Sequence, residues 1–291
     1  MKRLLLLLAL VGGTLLSARA QSGLLILNSE ARAMAMGGVT ATTISSSNTI
    51  FNNPSLVSFA DAPFQIATSY TGSDSSEIYS LSAYYQFLTG GAIQAGWRSL
   101  SYQGGDDMTF ELGYSRRIAR IFSIGITGRY IHSTNELDEK YNGLAADLSA
   151  SCRIPLGQSA LLVGAKLNNL GAYFSGKEDP LLPIQFTAGL GFQLVINDSH
   201  SLLFSGDTSY CFNPDPFKGS QLGVGVEYEF MQLLQLRGGY HYGQQDSIYP
   251  SYFSVGAGLH FLFFRVDASY LIASKSSMMH NAYMLNVGLN F

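Results

Sequence analysis

The chain has 291 residues, 47% of them hydrophobic and only 13% charged, with a formal net charge of −3. Soluble domains carry about 25% charged residues, so this composition argues against an ordinary soluble surface. A net acidic chain also argues against a nucleic-acid partner, because nucleic acid rewards basic surfaces.

The first segment reads as a targeting leader. Met1-Lys2-Arg3 is a basic start, Leu4 to Leu16 an apolar run, and Ala18-Arg19-Ala20 a small-x-small cleavage site, so residues 1–20 are expected to be removed. Gln21, not Cys, follows the cut, which gives no indication of a lipid anchor. Removing Lys2, Arg3 and Arg19 takes the 17 basic residues to 14 against 20 acidic, a net charge of about −6. The remaining chain holds no apolar stretch as long as the ~20 residues that a membrane helix needs, so any membrane span must be made of strands.

Residues 21–62 lack strand alternation. Ser29 can cap a short helix through Ala31-Arg32-Ala33-Met34-Ala35-Met36, and Gly37-Gly38 can stop it. Asn53 before Pro54 and Ser55 has the form of a second helix start, with proline at the first helical position. Two short helices joined by Ser/Thr-rich connections suit a plug inside a barrel; a loose tail is the alternative reading.

From Pro63 to Phe291 the chain alternates with period two. In the last segment Tyr283, Leu285, Val287, Leu289 and Phe291 share one face, with Met284, Asn286, Gly288 and Asn290 on the other. Residues 222–230 and 253–261 repeat the pattern, the mark of half-buried strands. Fourteen such segments centre on Ile66, Leu81, Ala95, Leu112, Ile126, Leu148, Val163, Ala188, Phe204, Val226, Leu236, Ala257, Val266 and Val287. Each has the length a tilted strand needs to cross a bilayer, and an even count lets an antiparallel barrel close without a free edge.

The connections alternate between short and long, as in outer-membrane barrels. Short ones fall near residues 89–90, 119–120, 155–156, 197–198, 232–233 and 262–263. Long ones are expected at 103–107, 134–142, 171–183, 212–220, 243–251 and 274–281, and the 72–75 connection is short for its class. Aromatics such as Phe64 and Tyr70, Tyr79 and Phe87, and Tyr283 and Phe291 lie near segment ends, as girdles flanking an aliphatic band would. A soluble β-sandwich would instead gather its aromatics centrally in a core.

The opposite face is small and polar. By parity it carries Gly164, Gly223, Gly225 and Gly239 among twelve glycines, which weaken strands and so imply close approach of another part of the chain. The same face holds the acids Glu111, Asp147, Asp207, Glu227, Glu229 and Asp267, and the bases Arg98, Arg129, Arg153, Lys166, Arg237 and Arg265. Balanced charge implies internal pairing more than an ion-selective pore.

No nucleophile elbow, zinc-protease helix or phosphate loop is present, so no enzymatic activity and no cofactor are indicated. His241 and His260 fall on neighbouring strands, open to a metal or acid–base reading but explained equally by lumen polarity. Glu136, Asp138 and Glu139 form an acidic outer loop, open either to a divalent cation or to plain solvation. Pro180 and Pro183, and Pro214 and Pro216, stiffen two outer loops. Cys152 and Cys211 lie on strands that are not neighbours, which favours two isolated thiols over a disulfide.

Ala-Arg-Ala-Met-Ala-Met-Gly-Gly at 31–38, followed by Asn-Pro-Ser-Leu at 53–56, resembles the start of the PorV/PorQ family. Those proteins belong to a wider group similar to the long-chain fatty-acid transporter FadL. The resemblance implies a fourteen-stranded barrel plugged by an N-terminal hatch with an Asn-Pro-Ala motif. Here Asn53-Pro54 match and Ser55 stands in place of Ala. Phe291 resembles the aromatic end that such barrels present to their assembly machinery.

Two functions follow as expectations, both in the outer membrane of a Gram-negative cell and both with membrane lipid as a partner. The first, implied by the PorV/PorQ resemblance, is a component of type IX secretion that meets secretion proteins or cargo. The alternative is passive transport of a hydrophobic small molecule in the manner of FadL.

Overall fold

The computed structural model describes residues 23–44, 47–102, 105–135, 138–175, 181–214, 218–243, 251–273 and 279–291. The expected leader and the loop residues Glu136, Pro180 and Pro216 lie outside them. Fourteen antiparallel strands close into one barrel. They are β1 (Phe64–Gly72), β2 (Ser76–Gln86), β3 (Gly91–Tyr102), β4 (Gly105–Ala119), β5 (Phe122–Asn135), β6 (Lys140–Leu156) and β7 (Ser159–Ser175). The series continues with β8 (Gln185–Asn197), β9 (His200–Cys211), β10 (Gly219–Phe230), β11 (Leu234–Gly243), β12 (Tyr252–Phe261), β13 (Phe264–Ala273) and β14 (Tyr283–Asn290).

Each strand pairs with its neighbours in sequence, and β1 meets β14 in the register Gln65↔Asn290 through Gly72↔Tyr283. The Phe64 amide donates to the Phe291 carbonyl at 3.1 Å and Phe291 returns the bond at 2.9 Å, so the seam carries the ladder to its last residue. Closure leaves no unpaired edge. Alternation appears directly as burial: in β5, Ser123, Thr127, Arg129 and Ser133 are buried while Ile124, Ile126 and Tyr130 face out. The outward aromatics Tyr79, Phe87, Tyr114, Tyr270, Tyr283 and Phe291 are all exposed near strand ends.

Two expectations about connections are corrected. Residues 103–107 and 134–142 are not long loops: β3 continues to Tyr102, β4 starts at Gly105, β5 continues to Asn135, and β6 starts at Lys140. The polar run at 104–107 has loop composition, but Asp106 and Asp107 pair in the ladder with Ser101 and Leu100. Asp107 also receives the Leu24 amide, so its burial is compensated by a hydrogen bond.

The chain ahead of β1 folds inside the barrel as two short α-helices, Gly23–Ile26 and Ala31–Ala35, and two 3₁₀ turns, Ser47–Phe51 and Pro54–Phe59. Ser29 does not cap the second helix; Glu30 holds the N-cap position, without a side-chain cap bond. Gly37 and Gly38 do end that helix, with φ of +75° and +77°, a conformation that only glycine adopts without strain. The Gly38 amide donates to the Ala33 carbonyl at 2.9 Å.

Candidate functional site

The site is the barrel interior, which runs from the long-loop end to the short-turn end. At the long-loop end the inward side chains are apolar. Ile78, Leu100, Leu271 and Met284 from β2, β3, β13 and β14, with Tyr252 from β12, form one buried cluster with Met279 and Ala282. Leu24, Leu27, Ala31 and Met34 of the N-terminal segment fill its centre. A second apolar cluster, Ile131, Tyr141, Ala145, Tyr173 and Leu182, lies across the mouth, with Leu25 packed against it. The interior is therefore not uniformly small and polar, as parity alone implied.

Below this layer lies a belt of buried ion pairs in two chains. On β3 to β6, Arg98 meets Glu111 at 2.7 Å, Glu111 meets Arg129 at 3.0 Å, and Arg129 meets Asp147 at 2.7 Å. On β10 to β13, Glu227 meets Arg237 at 2.5 Å, and Asp267 accepts from Arg237 at 2.6 Å and from Arg265 at 2.8 Å. Register explains the pairing, since Glu111 lies opposite Arg129 and Glu227 opposite Arg237. Alternating acids and bases on adjacent strands neutralise each other where water is excluded. Glu229 and Arg153 stand outside both chains. They line a cavity of about 610 Å³ at the short-turn end, together with Arg32, Tyr84, His260 and Arg265.

The N-terminal segment is fastened to this wall at several points. Arg32, a residue the strand parity could not place, donates from Nε (2.8 Å) and Nη2 (2.7 Å) to the two Glu227 oxygens and so extends the second chain. Asp207 accepts the Thr40 and Ala41 amides at 2.6 and 2.7 Å. The Ala31 amide donates to Asn286 Oδ1 at 3.1 Å.

Asn53 holds the N-cap position before Pro54, as expected, but makes no side-chain cap bond. Its Nδ2 donates instead to the Ala41 carbonyl at 2.8 Å and to Ser151 at 3.0 Å, while its Oδ1 accepts from Ser55 at 2.6 Å. Ser55 adds a contact to Ser151 Oγ at 2.7 Å, and its carbonyl accepts from Ser123 at 2.7 Å. Gln94 donates to the Pro54 carbonyl at 3.0 Å. The Asn53-Pro54-Ser55 motif thus locks the segment to β3, β5 and β6.

The inward glycines make room for this filling. A Cβ on Gly223 would come within 2.5 Å of the Gly37 carbonyl oxygen, and one on Gly239 would collide with the Gly37 amide. On the other side a Cβ on Gly164 would overlap the Ala41 carbonyl oxygen. Gly37 is also held by its amide bond to Ser254 Oγ at 3.1 Å.

Other sequence expectations resolve differently. His241 pairs with Tyr252 across the β11–β12 ladder. His260 lies eight residues further along β12, roughly 26 Å away at strand rise, so the two histidines form no joint site. Cys152 and Cys211 are free thiols. Asp138 and Glu139 belong to no metal-type cluster, and no group of three or more His, Cys, Asp or Glu gathers among the described residues. Glu139 accepts instead from Asn135 and Tyr141.

No family model and no curated protein sequence matches the chain. Its fold is shared with solved structures of hydrocarbon channels. The Pseudomonas putida toluene transporter TodX aligns over 88% of this chain and 95% of its own, with a TM-score of 0.64 and 12% identity. The monoaromatic hydrocarbon channel CymD aligns over 91% and 98%, with a TM-score of 0.61 and 11% identity. The Ralstonia pickettii toluene transporter TbuX aligns over 89% and 97%, with a TM-score of 0.58 and 11% identity. At such identities the likeness is one of fold: a closed fourteen-stranded antiparallel barrel.

Proposed function

We propose that this protein is a FadL-like passive transporter of a hydrophobic small molecule in the outer membrane of a Gram-negative cell. On this reading residues 1–20 are the leader, 21–62 the plug and 63–291 the transmembrane barrel. The observation that carries the proposal is the apolar layer at the long-loop end. Ile78, Leu100, Tyr252, Leu271 and Met284 line it, and Leu24, Leu27 and Met34 occupy its centre. A pore for polar solutes gains nothing from a greasy mouth, whereas an apolar solute gains ~25 cal/mol for each Å² it removes from water. The shared fold with TodX, TbuX and CymD supports the same reading.

The test is uptake of a panel of apolar compounds by a deletion strain with and without the restored gene. Slower entry of at least one compound in the deletion strain supports transport; identical entry across the panel contradicts it. The secretion role implied by the 31–38 and 53–56 motifs has no comparable support in the interior geometry. Unchanged export of signal-bearing cargo in the same deletion strain would remove it.

A further inference from the structure

The chain distributes its basic residues unevenly. Of nine arginines after residue 20, Arg32, Arg98, Arg129, Arg237 and Arg265 are buried in the lumen. The other four, Arg116, Arg117, Arg120 and Arg153, all lie at the short-turn ends of β4 to β6. The turns there, at residues 87–90, 120–121 and 157–158, contain no acid. The acids of that end lie elsewhere: Asp61 ahead of β1, Asp198 in the β8–β9 turn and Glu229 on β10.

Two of the four are already employed inside. Arg117 donates to the Ser58 carbonyl and covers the Phe59 ring at 5.2 Å, and Arg153 lines the interior cavity. The side chains of Arg116 and Arg120 are exposed and make no hydrogen bond or ion pair with any described residue. Arg116 follows buried Ser115 and so points to the outer wall, opposite Gly91 and Ile124 in the ladders. Around it on that wall are exposed Tyr114, Ile93, Ile118 and Ile124. An apolar band bordered by unpaired guanidinium groups is the arrangement that receives acyl chains alongside a phosphate head.

We propose that Arg116 and Arg120 form a docking site for an anionic phospholipid of the periplasmic leaflet, the side on which outer-membrane barrels carry their short turns. The headgroup phosphate lies between the two guanidinium groups, and the acyl chains lie along Ile93 and Ile124. Arginine suits this role better than lysine because its planar fork binds phosphate through two parallel hydrogen bonds. The proposal shares with the functional reading only the placement of the barrel in a phospholipid leaflet, and it does not depend on transport.

The experiment is native mass spectrometry of the full barrel, purified and exchanged into mixed micelles of phosphatidylglycerol and phosphatidylethanolamine. The wild type is expected to retain phosphatidylglycerol in preference to phosphatidylethanolamine. Arg116→Gln/Arg120→Gln should lower that retention about tenfold or more, at ~1 kcal/mol for each basic group near a lipid surface. The outer-side variant Lys140→Gln/Lys218→Gln should leave it unchanged, and heat-modifiable mobility on gels shows that every variant is folded. Equal retention of the two lipids by the wild type overturns the site, as does undiminished retention by the arginine variant. Loss of the lipid to millimolar inorganic phosphate would assign the arginines to free anions and overturn it as well.

Discussion

Glu227 receives two guanidinium groups, one from Arg237 on the neighbouring strand and one from Arg32 on the segment inside the barrel. That sharing makes substitutions on either side unequal. Arg32→Met leaves Glu227 paired with Arg237, so it removes charge-assisted bonds without stranding a charge. Such bonds contribute about 1.5–3 kcal/mol each, and amide hydrogen exchange across residues 31–38 should quicken by at least tenfold while the strands keep their protection. Glu227→Gln leaves two buried cations short of an acceptor, a loss on the order of 3–5 kcal/mol, and should lower the thermal midpoint well below that of Arg32→Met. Equal effects of the two variants would show that the pairs are not arranged as described. At Gly239 the contact is steric. Gly239→Val should expel the 31–38 stretch, read as new protease cleavage there in a barrel that still shows heat-modifiable mobility.

The strands were the most legible part of the sequence because one rule, alternation, governs every one of them. Tyr283 to Phe291 declares its two faces without any knowledge of its neighbours. The inward charges were legible for the same reason, and register then brought Arg98, Glu111, Arg129 and Asp147 into one chain. The apolar layer was not legible, because Ile78, Leu100, Ile131 and Leu271 share parity with serines and charges further along the same strands. Parity assigns a face to a residue; it says nothing of depth along the barrel. The capping bonds were not legible for a related reason: Asn53 holds the N-cap position, but its Oδ1 accepts from the Ser55 hydroxyl while Ala41 and Ser151 hold its Nδ2. The layer has its own test. Ile78→Ser/Leu271→Ser removes two apolar side chains worth about 1.5–3 kcal/mol each on full burial. Binding of an apolar fluorescent probe to the purified barrel should weaken at least tenfold, with the ion-pair belt and the fold retained.

At the scale of the molecule, a closed barrel filled by its own N-terminal segment should conduct ions poorly despite fourteen strands. Deleting residues 23–59 removes Arg32, the 53–55 lock and the Leu24 and Leu27 filling of the apolar layer together. In planar bilayers the deleted form should show large, steady conductance steps that the intact protein lacks. The most direct test of the whole account is selectivity of entry in living cells. Uptake of an apolar probe and of a sugar of similar size should be compared in cells with the intact protein, with the Ile78→Ser/Leu271→Ser variant, and with none. The intact protein should speed entry of the apolar probe alone, and the variant should lose that advantage. Faster entry of the sugar, or entry of the apolar probe that ignores all three conditions, would contradict it.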